Sequence, residues 1–517
     1  MNEKMEAKDR IPRKPGQGAS SRHWIPALAG VLVVILALVI GLNVGGVRER
    51  LFGGVGVPRI DAIAILPVEN LSKDPEQAYL AQGMTSMLLN TMGGIRAVRL
   101  TAINSVNQYR KNPKPRPEIA RELDIDAIVE AGVLRIDDRL RLTVSLIHAP
   151  TDQRLWEQTY ERELRDLPSL RNEVCRAIAH QIKARLTPAE EERLSSRPPV
   201  NPQAQDALMR GMWGGNPAKT DELLNQAVQI DPSYAEGYDY MGNSYSMRLM
   251  YPARLAPKDI YPKAREAARK AVSLDPNAPF APRVLGTVAL EYDWDFFEAE
   301  KEFKREFEFF PHGSNAHHMY AHYLLAMGRV DEARAETQHA LEVDPMNSSL
   351  FACASWHDIT TGHYDDAEKH AAQALSLGAP DQLARLTQGW SYMLRGRHEE
   401  AIAEFQKAVV GWQNTAFPTA ALGHAYAVAG QEAAAREVLE KLLERAKTEY
   451  VSPYEIAVIY AGLGEKDRAF EWLEKAYEER ASLLVYFRMD PRIWSLRSDP
   501  RFQDLLRRMN FPRDRQD

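Results

Sequence analysis

The chain has 517 residues, of which 45% are apolar and 26% charged, and its formal net charge is −6. This length exceeds what one hydrophobic core supports, so several domains or a repeat array are expected. The negative balance excludes the strongly basic class of nucleic-acid-binding proteins. The two cysteines, Cys175 and Cys353, are too few for a disulfide framework or a cysteine-based metal knuckle.

Residues 24–47 carry no charged side chain. A helix formed by an uncharged apolar run of about twenty residues is as long as the hydrocarbon core of the bilayer is thick. The run therefore predicts a transmembrane helix. A cleaved signal peptide is the alternative, but Leu42–Gly46 is a poor cleavage site. Six basic residues precede the run and three follow it closely. The positive-inside rule therefore predicts a cytoplasmic tail over residues 1–23. The expected location is the bacterial inner membrane, single-pass, with most of the chain in the periplasm.

Residues 59–187 combine strand and helix patterns. Apolar and polar residues alternate strictly in Leu140–Leu146, which predicts a strand with one buried face. Asp137–Asp138 connects it to a preceding strand over 127–136 as a tight hairpin. The sequence also predicts a strand before this hairpin, a third strand that follows it in the meander, and an amphipathic helix over 166–186. Together these elements form a small α+β domain.

Four stretches of this region resemble the TolB-like amino-terminal domain: Ile63–Ser72, Asp74–Gln77, Tyr79–Thr85 and Ala149–Trp156. That domain typically precedes tetratricopeptide arrays in bacterial membrane proteins. Relatives often carry a winged-helix, nucleotide-cyclase or protein-kinase domain on the cytoplasmic side. A short tail leaves no room for such a domain, so the resemblance implies no output activity and no catalytic residues. A proline-rich linker is predicted over residues 188–202.

Residues 203–483 contain a repeating pattern of small residues. Alanines recur at spacings of 35 and then 34 residues, at Ala264, Ala299, Ala333, Ala367, Ala401, Ala435 and Ala469. Glycines recur every 34 residues, at Gly328, Gly362, Gly396, Gly430 and Gly464. This is the period of the tetratricopeptide repeat, a pair of helices. About eight repeats are predicted, followed by a cap over residues 484–517 that covers the last stacking face.

The predicted fold class is thus a single transmembrane helix, then a small α+β domain, then an all-α superhelix of tetratricopeptide repeats. The predicted function is a membrane-anchored protein–protein interaction scaffold for a protein or peptide partner. One alternative is the input half of a transmembrane signalling system that acts through a separate cytoplasmic partner. The other is an unrecognised enzyme. No nucleophile motif or phosphate-binding loop is present in the sequence, which predicts neither catalysis nor a cofactor, and no nucleic-acid partner.

The first helix of each repeat is expected to line the concave side of the superhelix. The register places seven residues there, which we call the aromatic column: His318, His322, Trp356, Trp390, Met393, His424 and Tyr454. Aromatic anchors suit apolar or proline-rich peptide segments. The alternative is that some of these rings, Trp390 above all, belong to the core between repeats.

His318 and His322 are also spaced as metal ligands on one helix face. The glutamate of a zinc-hydrolase motif is absent between them. This favours a plain helix surface over a metal site, and no metal is predicted.

Overall fold

The computed structural model describes residues 59–512 except 73, 112, 196, 214–215, 251–254, 379–381 and 414. Residues Ile60–Asp517 form one compact unit. The predicted tail, residues 1–23, and the predicted transmembrane helix, residues 24–47, lie outside the described residues.

The membrane-spanning element of the predicted fold class is corrected by the structure. In the described ranges, no helix combines the length and the apolar character needed to cross a membrane. The longest of these helices, Pro257–Leu274, has 18 residues, and charged side chains interrupt its sequence. Its buried side chains, which include Ala264, Ala268 and Ala271, recur at helical spacing along one face. The predicted single-pass inner-membrane location and the membrane as a partner are overturned by the same finding.

A mixed sheet forms the first part of the compact unit. Its strands are β1 Ala62–Ile65, β2 Glu69–Asn70, β3 Arg99–Leu100, β4 Ala127–Ile136, β5 Arg139–His148 and β6 Gln153–Glu163. The order is β3-β1-β4-β5-β6, with β2 also paired to β4. β1, β2 and β3 run parallel to their neighbours, whereas β4, β5 and β6 form an antiparallel meander. The predicted hairpin is confirmed, and Asp137 adopts a left-handed φ of 54° in its turn.

Helices cover both faces of the inner strands. They are α1 Ala78–Met92, α2 Ile103–Lys111, α3 Arg116–Leu123, α4 Leu167–Gln181 and α5 Pro188–Arg193. Helices α1 and α4 pack on the face that carries Ile63 and Leu142. Helices α2 and α3 pack on the opposite face, which carries Ala64 and Ile128. Successive residues of a strand point to opposite faces, so both faces of β1 are buried.

Paired helices make up the rest of the unit. They are α6 Pro202–Met212, α7 Pro217–Ile230, α8 Ala235–Met250, α9 Pro257–Leu274, α10 Ala281–Val288, α11 Phe296–Phe309, α12 Ser314–Ala326, α13 Val330–Val343, α14 Ser348–Thr360, α15 Tyr364–Ser376, α16 Gln382–Leu394, α17 His398–Gly411, α18 Ala416–Val428, α19 Glu432–Arg445, α20 Pro453–Gly462 and α21 Lys466–Glu478. The alanine series lies in the second helix of each pair, and all seven of its members are buried. In the glycine series every φ lies between 72° and 81°. Each of these glycines therefore adopts the left-handed conformation that commonly ends a helix.

The final part of the chain, which we call the C-terminal segment, covers residues 482–511. It contains two 3₁₀ turns, Ser482–Tyr486 and Pro491–Leu496, and helix α22 Pro500–Arg508. The segment packs on the last pair, α20 and α21, as a cap should, and it also contacts the third pair. The rings of Phe296 and Phe511 have centroids 4.8 Å apart. The array therefore closes on itself through its own end.

The sheet domain is fixed to the repeats by polar contacts that are buried or partly buried. Asp206 of α6 accepts hydrogen bonds from the Tyr79 hydroxyl and from Arg135. Ser105 of α2 donates to Asp344, at the end of α13, over 2.8 Å. The predicted linker is also packed, because Asn172 donates to carbonyl groups of that stretch.

Gly362→Ala tests whether the glycine series acts through backbone conformation. Gly362 has a φ of 81°, and nothing lies within 4 Å of where a Cβ would be. We expect Gly362→Ala to lower the free energy of unfolding by about 1 kcal/mol, because L-residues are strained in this region. Gly362→Asn is the control, since asparagine tolerates left-handed backbone, and it should lose less. Urea denaturation measures both; an equal loss in both variants would contradict the conformational explanation.

Candidate functional site

The first helices of five successive pairs carry the aromatic column. Helix α12 carries His318 and His322, α14 carries Trp356, α16 carries Trp390 and Met393, α18 carries His424 and α20 carries Tyr454. The repeat register brings side chains of neighbouring pairs together. The rings of His322 and Trp356, for example, stack with centroids 5.8 Å apart.

The C-terminal segment lies directly on the aromatic column. The Tyr486 ring meets Trp356 edge-on at 5.1 Å and lies 5.9 Å from His322. Six residues later, the Arg492 guanidinium lies 5.2 Å from the centre of the Trp390 ring and 5.8 Å from that of Tyr454. These distances are in the range of cation–π contacts.

A buried charge cluster holds the segment at this point. Arg492 lies 2.7 Å from Asp490 in the segment and 3.1 Å from Glu455 of helix α20. The Tyr454 hydroxyl donates to Asp490 over 2.8 Å. All four side chains are buried.

The two carboxyl groups of this cluster are shifted in opposite directions. Burial raises the pKa of Glu455, and the Arg492 charge offsets that only in part. Burial also acts to raise the pKa of Asp490, but the charge and hydrogen bonds of Arg492 outweigh it, and the pKa lies below its ordinary value. Asp490 is therefore the principal counter-ion of Arg492.

His424 is enclosed by the same segment. Its Nε2 lies 3.2 Å from the Arg492 carbonyl oxygen, so Nε2 carries the proton and donates. Burial, with the positive charge of Arg492, lowers the pKa of His424 to about 4. The imidazole is therefore neutral near pH 7.

Burial separates the column into two classes. His318, Trp390, Met393, His424 and Tyr454 are buried, whereas His322 and Trp356 are partly exposed. The inner-core alternative holds for Trp390, which packs between Phe405 and Phe417. The assignment of the column to a partner remains a prediction, because the side chains that cover it belong to this chain.

A small cleft remains beside the segment. Its volume is about 170 Å³, and its lining includes Trp356, Leu383, Trp390, Trp412, Phe417 and Tyr486. Ligand pockets usually measure about 300–1,000 Å³, so this cleft holds one side chain and not a peptide. The Trp390 Nε1 atom is buried and has no hydrogen-bond partner among the residues described.

Histidines and a cysteine meet at one end of the column. One ring nitrogen of His318, one ring nitrogen of His322 and the Cys353 Sγ atom all lie within 4.8 Å of one another. Burial lowers the pKa of His322 to about 4 and that of His318 well below its ordinary value. The prediction of a plain helix surface is wrong for His318, which is buried.

Several residues of this site escape sequence reasoning. Tyr486, Asp490 and Arg492 carry no repeat signal, and the Asp-Pro pair at 490–491 is an ordinary helix-start signal. Cys353 does lie in the repeats, one residue past the position equivalent to His318. A comparison of equivalent positions in adjacent repeats would have found it.

Comparisons with known proteins identify the repeats. Two families described as tetratricopeptide repeat match residues 356–421 and 454–482. A putative adenylate cyclase 3 from Rhizobium meliloti (strain 1021) is 28% identical over 244 residues, which is 46% of this chain. The match spans 41% of that relative's length.

Solved structures with similar helix pairs cover parts of the chain. A tetratricopeptide repeat protein from Parabacteroides merdae ATCC 43184 is 16% identical, with 49% of this chain and 97% of that chain covered and a TM-score of 0.35. A human IFIT1 dimer with m7Gppp-AAAA is 17% identical, with 66% and 82% covered and a TM-score of 0.41. Residues 356–421 and 454–482 are thus tetratricopeptide repeats by family match and by their helix pairs.

Proposed function

We propose that the repeat array is a protein–protein interaction scaffold and that it binds a partner segment along the aromatic column. One observation carries the proposal: first helices of five successive pairs contact a single stretch of polypeptide, residues 482–496, that is built of two 3₁₀ turns and the residues between them. A surface that holds one such stretch through side chains has the chemistry to hold another.

The resident stretch indicates which partner side chains fit. Tyr486 fills the aromatic position between His322 and Trp356. Arg492 fills a cationic position, where the Trp390 ring and the Glu455 carboxylate receive it. We therefore expect a partner segment with an aromatic residue and, about six residues later, an arginine. A proline before the arginine matches the resident Pro491 and agrees with the proline-rich ligand expected from the sequence.

Space requires the partner to replace the resident stretch. The remaining cleft of about 170 Å³ holds one side chain. A partner therefore reaches Tyr454 and His424 only when residues 486–492 leave them. Trp390 Nε1 then offers a donor that the resident stretch does not use.

The sheet domain has no function assigned by its geometry. Its TolB-like resemblance remains a prediction, and so does the absence of catalysis. The similarity to a putative adenylate cyclase covers less than half of that protein. Cyclase activity is accordingly no part of the proposal.

Arg492→Gln tests how firmly the segment is held. The change leaves Asp490 and Glu455 buried without their cation. We expect a loss of about 3–5 kcal/mol in the free energy of unfolding, measured by urea denaturation, because an uncompensated buried charge is costly. Arg436→Gln is the control, since Arg436 pairs with Glu432 and Glu465 at the surface. The control should unfold like the wild type; similar losses in both variants would show that the cluster does not hold the segment.

A labelled peptide with the sequence of residues 483–496 tests the column itself. We expect it to bind the full chain carrying Arg492→Gln more tightly than the wild-type chain, because the resident stretch is loosened there. In that background, Trp356→Ala should weaken the peptide about 30-fold, which corresponds to the 2 kcal/mol of an aromatic anchor. Fluorescence anisotropy gives both dissociation constants.

Trp213→Ala is the matched control for the peptide experiment. Trp213 is 51% exposed and directly follows helix α6, in the first helix pair, whereas the column begins in the fourth pair. Its removal should leave peptide affinity unchanged. Equal peptide binding by the wild type and Arg492→Gln, or equal losses in Trp356→Ala and Trp213→Ala, would refute the column as the binding surface. Thermal melts of each variant establish that it is folded.

A further inference from the structure

The cluster of His318, His322 and Cys353 has the composition of a metal site. His318 and His322 occupy one face of helix α12, one turn apart, and their Nε2 atoms are 3.0 Å from each other. Cys353 lies on α14, the first helix of the next pair. The three possible ligand atoms, one from each residue, all lie within 4.8 Å of one another.

Repeat geometry brings these three groups together. Adjacent first helices stack side by side, so equivalent positions become neighbours. Cys353 follows by one residue the position equivalent to His318 in the 34-residue register. This position brings the Cys353 side chain next to the histidine pair of the preceding repeat.

The donor set is chemically selective. The two imidazole Nε2 atoms face each other across 3.0 Å, and neutral imidazole is the form that binds metals. A thiolate adds a soft ligand, which selects Cu⁺ or Zn²⁺ over magnesium or calcium. The rings of His322 and His357 are 4.7 Å apart, and among the described residues the His357 Nε2 has no hydrogen-bond partner.

We propose that His318, His322 and Cys353 bind a single soft transition-metal ion, and that Cu⁺ is the ion that fits best. A Cu⁺ ion and one thiolate together carry no net charge. Met319 and Trp356 contribute apolar surface to the cleft, beside which an unbalanced charge is costly. The charged side chains of the same lining are Glu291, Arg445, Glu449, Glu455, Asp490 and Arg492. Zn²⁺ would retain a positive charge there and takes four ligands in most protein sites.

The cluster is accessible from the cleft. His322 and Cys353 both line its wall, together with Met319 and Glu291. Burial raises the pKa of Glu291 to about 7, and this carboxyl group accepts a hydrogen bond from Tyr261. An ion therefore has an entry path that ends at two of its three ligands.

A purely structural explanation makes a different prediction. One neutral imidazole donating to the other accounts for the 3.0 Å contact between the two Nε2 atoms. On that explanation the thiol of Cys353 has no part in the contact. Metal binding that depends on all three side chains distinguishes the two explanations.

The test uses the full chain, reduced and stripped of metal. Cu⁺ is titrated against a chromophoric Cu⁺ chelator, and Zn²⁺ is titrated separately. We expect one equivalent of Cu⁺ to bind, and we expect Cys353→Ser and His322→Gln each to weaken it about 100-fold or more, as loss of a direct ligand exceeds the 10–100-fold cost of losing a supporting group. Bound Cu⁺ should also raise the melting temperature of the wild type, because it binds the folded state.

Cys175→Ser is the matched thiol control. Cys175 is buried in helix α4 of the sheet domain, and burial raises its pKa to about 12. Its replacement should leave Cu⁺ affinity unchanged. Absence of a one-equivalent site, or equal affinity in Cys353→Ser and the wild type, would overturn the proposal. Tighter binding of Zn²⁺ than of Cu⁺ would overturn the choice of ion.

Discussion

The close approach of the two helices in each repeat is the constraint on which the rest of the structure depends. A Cβ on Gly389 would lie 2.7 Å from the Phe405 ring, and Ser355 donates to the Ala367 carbonyl over 2.8 Å. A larger side chain at such a position separates the helices and changes how one repeat stacks on the next. Because each pair is fixed in this way, first helices follow one another in register. The aromatic column is a consequence of that register.

Closure of the array adds a second constraint, and buried charge sets its position. Arg492 meets Asp490 and Glu455 in the interior, where replacing all three by apolar side chains often costs little stability. The cluster instead discriminates between registers. Sliding residues 482–496 by one position would leave charges buried without partners. The apolar contacts of the C-terminal segment therefore stabilise closure, while the charges specify where the segment lies.

Local patterns in the sequence predicted the parts of this fold that depend on local spacing. The alternation of Leu140–Leu146 indicated β5, and the alanine and glycine series indicated the helix pairs. The column residues followed from the same register. The contact between Phe296 and Phe511 joins residues more than 200 positions apart and has no periodic signature. For that reason the sequence predicted a concave binding surface but not that the C-terminal segment covers it. The transmembrane helix was predicted from apolar composition alone, and an apolar helix can equally be buried inside a protein: nearly every residue of Pro453–Gly462 is buried among its neighbours.

His318 and His322 belong both to the column and to the cluster with Cys353, and this overlap couples the two proposed sites. The ring of Tyr486, from the C-terminal segment, rests on His322 and on Trp356. Departure of the segment would uncover one ligand of an ion and change the polarity around it. Linkage requires the effect to be mutual: if displacement of the segment weakens the ion, then the ion opposes displacement by the same free energy. Binding of a metal ion by His318, His322 and Cys353 would thus set how readily a partner segment enters the column.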